Sequence, residues 1–453
     1  MNHPDTESRK PPPAGTPGRL ARTLNARDLL LIVVGAVIGS GIFFVPADIL
    51  RDMRGSVLLA LLVWVLGGIL SLLGALTYGE LAAFRPEAGG IYIFLRDGFG
   101  TFMAFLYGWT MFLLIATGAL ATLSIGFTNY LGEVIPLSPP AQRMVPPLMI
   151  AVIVAINVRG ARQSANVQNV TTLIKAGAIV LMSAALLILG REYAATANSL
   201  LPAADGASVW GRFGLSMIAA LWAYEAWQYA TFSAGETMDP QRNFPRAFLR
   251  GMLTLIGIYL LANVAYFVVL GPPAAMNAER ISAAAVSRAL GPWAAKVLSV
   301  AIMVAAFSAA NSIQLTAPRV YYAMANDGLF FRGLAAIHPR FQTPALSIVV
   351  SGAWAMVLTQ IGTFRELYTY VVVASWVFYA FAGAAIFVYR RKFPDEPRAF
   401  RVPGYPFTPM LFVIASVAVV VASVAALPKD WKFAASAAIM LAGVPAYFFW
   451  RKS

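Results

Sequence analysis

The stretch VGAVIGSGIF, residues 34–43, decides the fold class that the rest of the sequence must fit. It lies inside an apolar run from Leu29 to Leu50, which is long enough to cross a bilayer as one helix. Gly39, Ser40 and Gly41 stand at the middle of that run. Because glycine is among the poorest helix formers, these small residues predict a break halfway through a membrane helix.

The composition is that of a membrane protein with many spans. Of 453 residues, 59% are hydrophobic and only 12% are charged, which is too apolar for an ordinary soluble domain. The absence of cysteine excludes disulfides, thiolate metal sites and a cysteine nucleophile. Two histidines, His3 and His338, do not support a histidine-based metal or catalytic centre. We therefore expect neither an enzyme nor a protein with a metal or cofactor.

Hydropathy divides the chain into about twelve spans of roughly 20 residues, the length that a hydrocarbon core of about 30 Å requires. The predicted spans are 28–50, 56–84, 101–131, 144–159, 164–190, 212–238, 246–271, 290–325, 344–362, 366–391, 406–427 and 431–450. The segment 1–27 is polar and rich in proline, so we expect a disordered tail. The predicted fold class is an all-α membrane protein with twelve transmembrane helices.

The net charge of +14 reflects topology rather than nucleic-acid binding. With twelve spans both termini lie on one side, and 22 lysines and arginines fall on that side against nine in the opposite loops. By the positive-inside rule, both termini are predicted to be cytoplasmic. We expect a multi-pass protein embedded in the lipid bilayer of the cell membrane. We do not expect it to bind nucleic acid.

A second span is also interrupted, about five helices after the first. Residues 212–238 begin with an apolar half and then carry Glu225, Gln228 and Glu236, which are costly in a membrane unless they face protein or water. The two broken spans stand at equivalent places if the chain contains two five-helix repeats, 28–190 and 212–391. The last two spans, in 406–453, then lie outside both repeats. Because five is odd, such repeats would be inverted with respect to each other.

Paired breaks suit a zwitterionic ligand. The outer half of the first span would offer unpaired N–H groups to a carboxylate, and the inner half would end in carbonyls that accept from an ammonium. Alternatively, Gly39 and Gly41 form a small-residue surface on which another helix packs. The second break favours ligand binding.

Several motifs in this order resemble the amino acid–polyamine–organocation superfamily, and within it the L-type amino acid transporter-like exchangers. They are GAVIGSGIF (35–43), PEAGGIYIFLRDGFG (86–100), NVQNVTTLIKAG (166–177), WAYEAWQYATFSAGETMDPQRNFPRA (222–247), APRVYYAMANDG (317–328) and RAFRVPGYPFTP (398–409). The resemblance implies a leucine-transporter-type fold: ten helices in two inverted repeats, with discontinuous first and sixth helices, plus two peripheral helices.

The resemblance also implies substrate-binding roles at the two breaks. Gly39, Ser40 and Gly41 would take the substrate carboxylate, and carbonyls of Val37 and Ile38 would face the amino group. In the sixth span, Trp222 matches an aromatic gate, and neighbouring carbonyls, such as that of Ala223, would also meet the ammonium. Ordinary packing or anchoring at the interface is the alternative for Trp222. Its place directly before the predicted break favours the gate.

The sequence departs from the family pattern directly after that gate. The family usually has glycine where Ala226 stands, and often where Glu225 stands, so the break has less room for a side chain here. Glu225 is open to several interpretations: it lines the cavity, carries a proton, selects the substrate, or pairs with a basic group. Gln228 and Tyr229 match positions that shape the side-chain pocket.

Lys175 is a charge far from either end of the fifth span, where an ammonium is costly unless it has a partner. Snorkelling of its long stem to the interface is one explanation. The resemblance offers another, since this lysine replaces the sodium ion of coupled relatives and so implies sodium-independent transport. It also implies that Tyr259 connects to Lys175 through hydrogen bonds, and that Ser308 lies near the ion position.

We therefore expect a sodium-independent amino acid permease that exchanges neutral L-amino acids by alternating access. Proton-coupled uptake through Lys175 or Glu225 is the alternative, and an amino acid sensor or a channel fits the sparse polar residues less well. Animal members of the family pair with a glycoprotein through a disulfide, which this chain cannot form. Near the predicted cytoplasmic ends, Glu80, Arg85 and a Glu236–Arg246 pair either latch the inward gate or form a solvated face.

Overall fold

The computed structural model describes residues 22–190, 209–278, 280–426 and 431–451, and within these ranges every named element is a helix. The α-helices are α1 (Ala26–Val37), α2 (Gly41–Asp52), α3 (Val57–Phe84), α4 (Ile91–Phe99), α5 (Thr101–Thr110), α6 (Ala116–Val134), α7 (Pro139–Val158), α8 (Ala161–Leu189), α9 (Val209–Ala223), α10 (Pro240–Asn277), α11 (Ile281–Leu290), α12 (Pro292–Thr316), α13 (Pro318–Asn326), α14 (Ala345–Ile361), α15 (Phe364–Lys392), α16 (Phe407–Ala426) and α17 (Trp431–Arg451). A π-helical turn, Met111–Ile115, joins α5 to α6, and 3₁₀ segments cover Trp227–Glu236 and Arg332–Ala335. The predicted all-α class is confirmed.

Seven helical stretches of the described chain are long and apolar enough to cross a membrane, and the bent pair α1 and α2 forms an eighth. Three shorter apolar helices add to these, and the count of twelve spans stays a prediction. The predicted second span, 56–84, agrees with α3 to within a residue. The predicted fourth span, 144–159, starts too late, because α7 begins at Pro139. Proline is tolerated there because the first turn of a helix has no hydrogen bond for its missing N–H group to make.

The two halves of the chain share an arrangement that the sequence did not reveal. Gly100 caps the short helix α4, and the long helical stretch α5–α6 begins directly after it. In the second half, Gly291 caps the short helix α11 and precedes α12. Both glycines have left-handed backbones, with φ of 93° and 89°, which a residue with a side chain adopts only with strain. This repeated corner is what a chain with two related halves would show.

The chain before α1 is tied to the end of the sixth span. The N–H groups of Thr23 and Leu24 both donate to the carbonyl of Glu236, at 2.9 and 3.0 Å, and the N–H of Met238 donates to the carbonyl of Leu24. Residues 1–21 of the predicted disordered tail lie outside the described residues. Leu24 itself is fully buried, so both broken spans are joined at this end of the protein.

Charged residues at the same end form specific ion pairs. Glu236 and Arg319 are both about 1% exposed and make two hydrogen bonds, at 2.6 and 3.1 Å. Glu236 therefore belongs neither to a solvated face nor to a pair with Arg246, which were the two alternatives. Glu80 accepts from Arg390 at 2.7 and 3.0 Å. Arg85 donates to Glu396, at 3.1 Å. Glu236 prefers Arg319 because a buried carboxylate needs a partner within hydrogen-bonding distance.

Candidate functional site

The first break lies where the glycine-containing stretch predicted it. Helix α1 ends at Val37 and α2 starts at Gly41, with an angle of 46° between them. The N–H of Gly39 donates to the carbonyl of Val37 at 2.7 Å, which closes a tight turn and ends the helical ladder. The predicted interruption is thus confirmed, with Ile38, Gly39 and Ser40 between the two helices and Gly41 as the first residue of α2.

Lys175 holds the end of α1. This side chain is 1% exposed, and its ammonium donates to the carbonyls of Gly35, at 2.5 Å, and Ile38, at 2.6 Å. Gly35 lies in the last turn of α1 and Ile38 directly follows the helix, at the end where the helix dipole is negative and a cation is stabilising. Snorkelling to the interface is therefore excluded, since the ammonium is buried and donates its hydrogen bonds to these two carbonyls.

The same face of α8 contacts α1 along its length, which sequence analysis missed. Arg162 and Asn169 donate to the buried carboxylate of Asp28, at 2.5 and 2.6 Å, and Thr172 donates to the carbonyl of Leu31 at 3.2 Å. With Lys175, these donors recur every three or seven residues and so share one helix face. That periodicity of polar residues in an apolar helix was the available signal.

The start of α2 leaves backbone donors free. The N–H groups of Ser40 and Gly41 have no acceptor within the described part of the chain. They belong to the positive end of the α2 dipole, which favours an anionic group such as a carboxylate. A methyl group on Gly41 would lie 2.9 Å from the Cα of Ala223, so only glycine allows α2 to approach α9 this closely.

The second break interrupts the sixth span after Ala223. Residues 224–226 form turns, and the chain continues as the 3₁₀ segment Trp227–Glu236 instead of an α-helix. Ala226 has a left-handed backbone, with φ of 82° and ψ of 0°. This conformation costs about 1–2 kcal/mol for a residue with a Cβ and nothing for glycine.

The hydroxyl of Tyr259, on α10, connects the two breaks. It lies 3.1 Å from the carbonyl of Val37 and 3.1 Å from the carbonyl of Ala223. A hydroxyl has one proton, so the last carbonyls of the two half-helices share a single donor. The expected connection to Lys175 therefore runs through neighbouring carbonyls of α1, since Lys175 and Tyr259 bind Ile38 and Val37 respectively.

Glu225 is held by neutral donors. Its carboxylate accepts a hydrogen bond from the hydroxyl of Tyr379, on α15, and another from the side-chain amide of Gln228 at 3.3 Å. That amide also donates to the Tyr379 hydroxyl. Glu225 has no basic partner among the described residues, so of the interpretations left open by the sequence, the pairing with a basic group is wrong.

A cavity of about 40 Å³ lies between the two breaks. Among the predicted binding residues, those that line it are Val37, Gly39, Ser40, Gly41, Trp222, Ala223, Glu225 and Tyr229. Ile38 and Gln228 do not, since Ile38 meets Lys175 and Gln228 meets Tyr379. Sequence analysis missed Ala36, Ala119, Leu123, Ala309, Ile313 and Val371, and it had named Ala226 only as a departure from the family. Apart from Glu225 and the phenol of Tyr229, the lining is small or apolar.

Trp222 covers one side of this cavity together with aromatic residues of α15. Its ring lies 5.1 Å from that of Tyr368, which packs on Phe364 at 5.7 Å. Phe364 in turn contacts Phe44, of α2, at 6.2 Å. Trp222, the expected gate, therefore packs against an aromatic ring of α15, a helix that belongs to neither broken span.

Ser308 is buried, and its hydroxyl has no hydrogen-bond partner among the described residues. Its neighbour Asn311 instead joins helices, because its side chain bonds to Asn157 at 3.0 Å and to Gln168 at 3.3 Å. Within the described ranges, no three His, Cys, Asp or Glu residues group closely enough to hold a metal ion. The role of Ser308 stays a prediction.

Comparison with known proteins identifies the family. The amino acid permease family model matches residues 24–444. The serine/threonine exchanger SteT of Bacillus subtilis is 30% identical over 93% of this chain and 95% of its own length. The rat b(0,+)-type amino acid transporter 1 is 29% identical over 92% and 86%, and the human cystine/glutamate transporter is 30% identical over 97% and 87%. The chain belongs to the amino acid permease family and is a multi-pass membrane transport protein of the amino acid–polyamine–organocation superfamily.

Proposed function

We propose that this protein exchanges neutral L-amino acids across the cell membrane without sodium. The observation that carries the proposal is the ammonium of Lys175, which donates to the carbonyls of Gly35 and Ile38 at 2.5 and 2.6 Å. A fixed cation at the end of α1 satisfies carbonyls that would otherwise need a bound ion. The broken helix is therefore stabilised in the absence of sodium.

The two breaks supply groups for both ends of an amino acid. A substrate carboxylate would accept from the N–H groups of Ser40 and Gly41, at the positive end of α2. The carbonyls of Ile38 and Ala223 each accept from one protein donor and keep a second lone pair for a substrate ammonium. The carbonyl of Val37 already accepts from Gly39 and Tyr259, so its predicted role requires one of these two donors to give way.

The cavity lining favours a small substrate with a neutral side chain. The cavity volume of about 40 Å³ leaves little room for a side chain. Ala36, Ala119 and Ala309 offer apolar contacts, and Glu225 alone brings a charge. The relative SteT is named a serine/threonine exchanger, so serine, threonine and alanine are the first substrates to test. A hydroxyl could donate to Glu225, whose remaining carboxylate lone pairs can accept it.

The same proposal includes the membrane arrangement. Residues 28–190 and 212–391 form two inverted repeats, 406–453 form two peripheral helices, and both termini are cytoplasmic. The corners at Gly100 and Gly291, which have the same backbone conformation in the two halves, support the repeats. Alternating access would move α1–α3, α9 and α10 against the other helices, with the substrate at the breaks.

Transport by purified protein in liposomes tests the proposal. Liposomes are loaded with unlabelled serine, threonine, alanine or no amino acid, and entry of radiolabelled serine is followed in sodium or in choline. We expect uptake that requires internal amino acid and is equal in the two salts. Uptake into empty liposomes contradicts exchange, and a requirement for sodium contradicts the role of Lys175.

Proton-coupled uptake is the second candidate, and Glu225 is the observation that favours it. The carboxylate lies beside the cavity and has only neutral partners, so no basic group holds it in the charged form. It can therefore bind a proton during transport. If this function is correct, an inward pH gradient drives serine into empty liposomes, and Glu225→Gln abolishes that response. If exchange is correct, Glu225→Gln leaves uptake independent of the pH gradient.

A further inference from the structure

The outer surface of the protein contains a groove that takes no part in the proposed transport mechanism. It has a volume of about 470 Å³ and lies between α7 and α14, far along the chain from either break. Its walls include Val154, Val158, Ala353 and Met356. The adjacent surfaces of the same helices are apolar and exposed, since Val152 is 53% and Val349 is 46% exposed. In a membrane protein, such a surface faces the hydrocarbon of the bilayer.

The shape of the groove follows from how the two helices cross. A methyl group on Gly352 would lie 2.3 Å from the side chain of Val154, so the helices are in contact at this point. The groove runs along the outside of this contact, from Ala151 to Arg159 on α7 and from Val349 to Met356 on α14. Ala151 to Val158 is seven residues, or about 10 Å of helix. One leaflet is about 15 Å deep, so the groove has the length of part of an acyl chain.

The end of the groove is basic. Arg159, which lines it, is exposed, and its side chain has no ion-pair partner within the described residues. The ring of Phe341 also lines the groove, and the guanidinium of Arg340 lies 5.5 Å from its centre. Arg340 likewise has no acidic partner among the described residues, and no Asp or Glu lines the groove.

The segment that carries Arg340 is ordered by its own hydrogen bonds. The Nδ1 atom of His338 accepts from the N–H groups of Arg340 and Phe341, at 3.2 and 3.3 Å. Thr343 donates to the carbonyl of Val158 at 2.9 Å, which ties this segment to the end of α7. Arg159 and Arg340 thus lie beside the end of an apolar groove, and neither has an acidic partner in the part of the chain that the structure describes.

The groove opens at the end of the protein that carries the amino terminus. Arg162, three residues after Arg159, donates to the carbonyl of Thr23 and to Asp28. In the topology proposed above, this end is cytoplasmic, and the cytoplasmic leaflet is the one rich in anionic lipids. The basic end of the groove therefore lies at the level of anionic headgroups.

We propose that the α7–α14 groove binds one anionic phospholipid, with an acyl chain along the groove and the phosphate group between Arg159 and Arg340. A free phosphate does not account for the apolar groove. A second copy of the chain, docked about a two-fold axis, would place the same arginines near each other and would be repelled. The lipid satisfies both the apolar surface and the positive charge.

Native mass spectrometry of the full-length protein tests this inference. Protein in detergent is mixed with equal amounts of phosphatidylglycerol and phosphatidylethanolamine, and the retained lipids are counted. We expect phosphatidylglycerol to be retained preferentially. Because a basic residue at the membrane surface contributes about a fivefold preference for anionic lipid, Arg159→Gln and Arg340→Gln should each lower the preference by about that factor. Arg391→Gln, an exposed arginine at the end of α15, is the matched control and should change nothing.

A second pair of variants tests the groove independently of its charge. Ala155→Trp and Ala353→Trp fill it from opposite helices, and each should release the bound lipid while serine transport in liposomes shows that the protein is folded. Equal retention of the two lipids, or an equal effect of Arg391→Gln, overturns the proposal. Conversion of a dimer to a monomer by either tryptophan also overturns it, because a second copy would then be the occupant.

Discussion

The two breaks border one cavity but are stabilised differently. At the first, between α1 and α2, a cation from another helix binds the backbone, since Lys175 donates to the carbonyls of Gly35 and Ile38. At the second, the side chain of Glu225 lies within the break and bonds to Tyr379 and Gln228. The second break also contains a left-handed alanine, Ala226, with φ of 82°.

This difference separates backbone recognition from side-chain recognition. The first break needs no side chain of its own to be stable, so the N–H groups of Ser40 and Gly41 are free for the part that all amino acids share. The second break places a carboxylate on the cavity wall, where, in the proposed exchange, it would meet the variable part of a substrate. We infer that the first break provides affinity and the second provides selectivity.

The largest expected effect comes from removing the cation at the first break. Lys175→Met deletes two charge-assisted hydrogen bonds and leaves the carbonyls of Gly35 and Ile38 without partners, at a cost of about 3 kcal/mol. Amino acid exchange should fall below detection, and the unfolding temperature in detergent should drop. Lys296→Met removes an exposed lysine of α12 and should change neither measurement. Normal exchange by Lys175→Met would show that the first break is stable without its cation.

The next effect distinguishes two glycines of the first break. A methyl group on Gly41 would lie 2.9 Å from the backbone of Ala223, so Gly41→Ala should push the breaks apart and cost about 1–3 kcal/mol. A methyl group on Gly39 meets its nearest atom at 3.6 Å, and Gly39→Ala should cost less. Thermal unfolding of both variants, with serine binding measured alongside, checks the order. Equal losses would mean that the contact between the breaks is unimportant.

A smaller effect is expected where one hydroxyl serves both breaks. Tyr259→Phe removes the donor that the carbonyls of Val37 and Ala223 share, at a cost of about 1 kcal/mol in stability. Tyr266, on the same helix, has a buried hydroxyl without a partner in the described chain, so Tyr266→Phe should cost nothing or stabilise. Unfolding in detergent compares the two. If they behave alike, Tyr259 does not couple the breaks.

The smallest effect tests the strain of the second break. Ala226→Gly relieves the left-handed alanine and should stabilise the protein by about 0.5–1 kcal/mol, after the entropy that glycine adds to the unfolded chain. Ala223→Gly, at the end of α9, offers no such relief and should destabilise by a similar amount. The measurement is again the unfolding temperature. A loss of stability in Ala226→Gly would show that its backbone is not strained.

Local sequence signals predicted the parts of the site that depend on one segment. The glycines of residues 39–41 predicted the first break, although Gly41 begins α2 and Ile38 takes its place in the turn. The charge of Lys175 in an apolar run predicted a buried functional group, because an unpaired ammonium is too costly there. Hydropathy likewise gave the ends of α3 to within a residue.

Partners on distant helices could not be predicted in the same way. Tyr379 and Val371 lie in the middle part of α15, which is apolar on all sides. The sequence therefore does not indicate how this helix is rotated about its axis, or which of its faces meets Glu225 and the cavity. The pairing of Glu236 with Arg319 could not be predicted for a similar reason. Arg246 is near in sequence, whereas Arg319 is brought close only by the packing of α13 against the sixth span. Such contacts depend on tertiary structure.

The most direct test of the central claim uses the absence of cysteine. Ser40→Cys introduces one thiol beside the free N–H groups of the first break, and Gln142→Cys places one on an exposed surface. Once each variant is shown to exchange amino acids, its alkylation by a small maleimide is timed with and without the transported amino acid, in choline. We predict that the amino acid slows alkylation of Ser40→Cys only. Equal rates with and without substrate would contradict a carboxylate site at the first break.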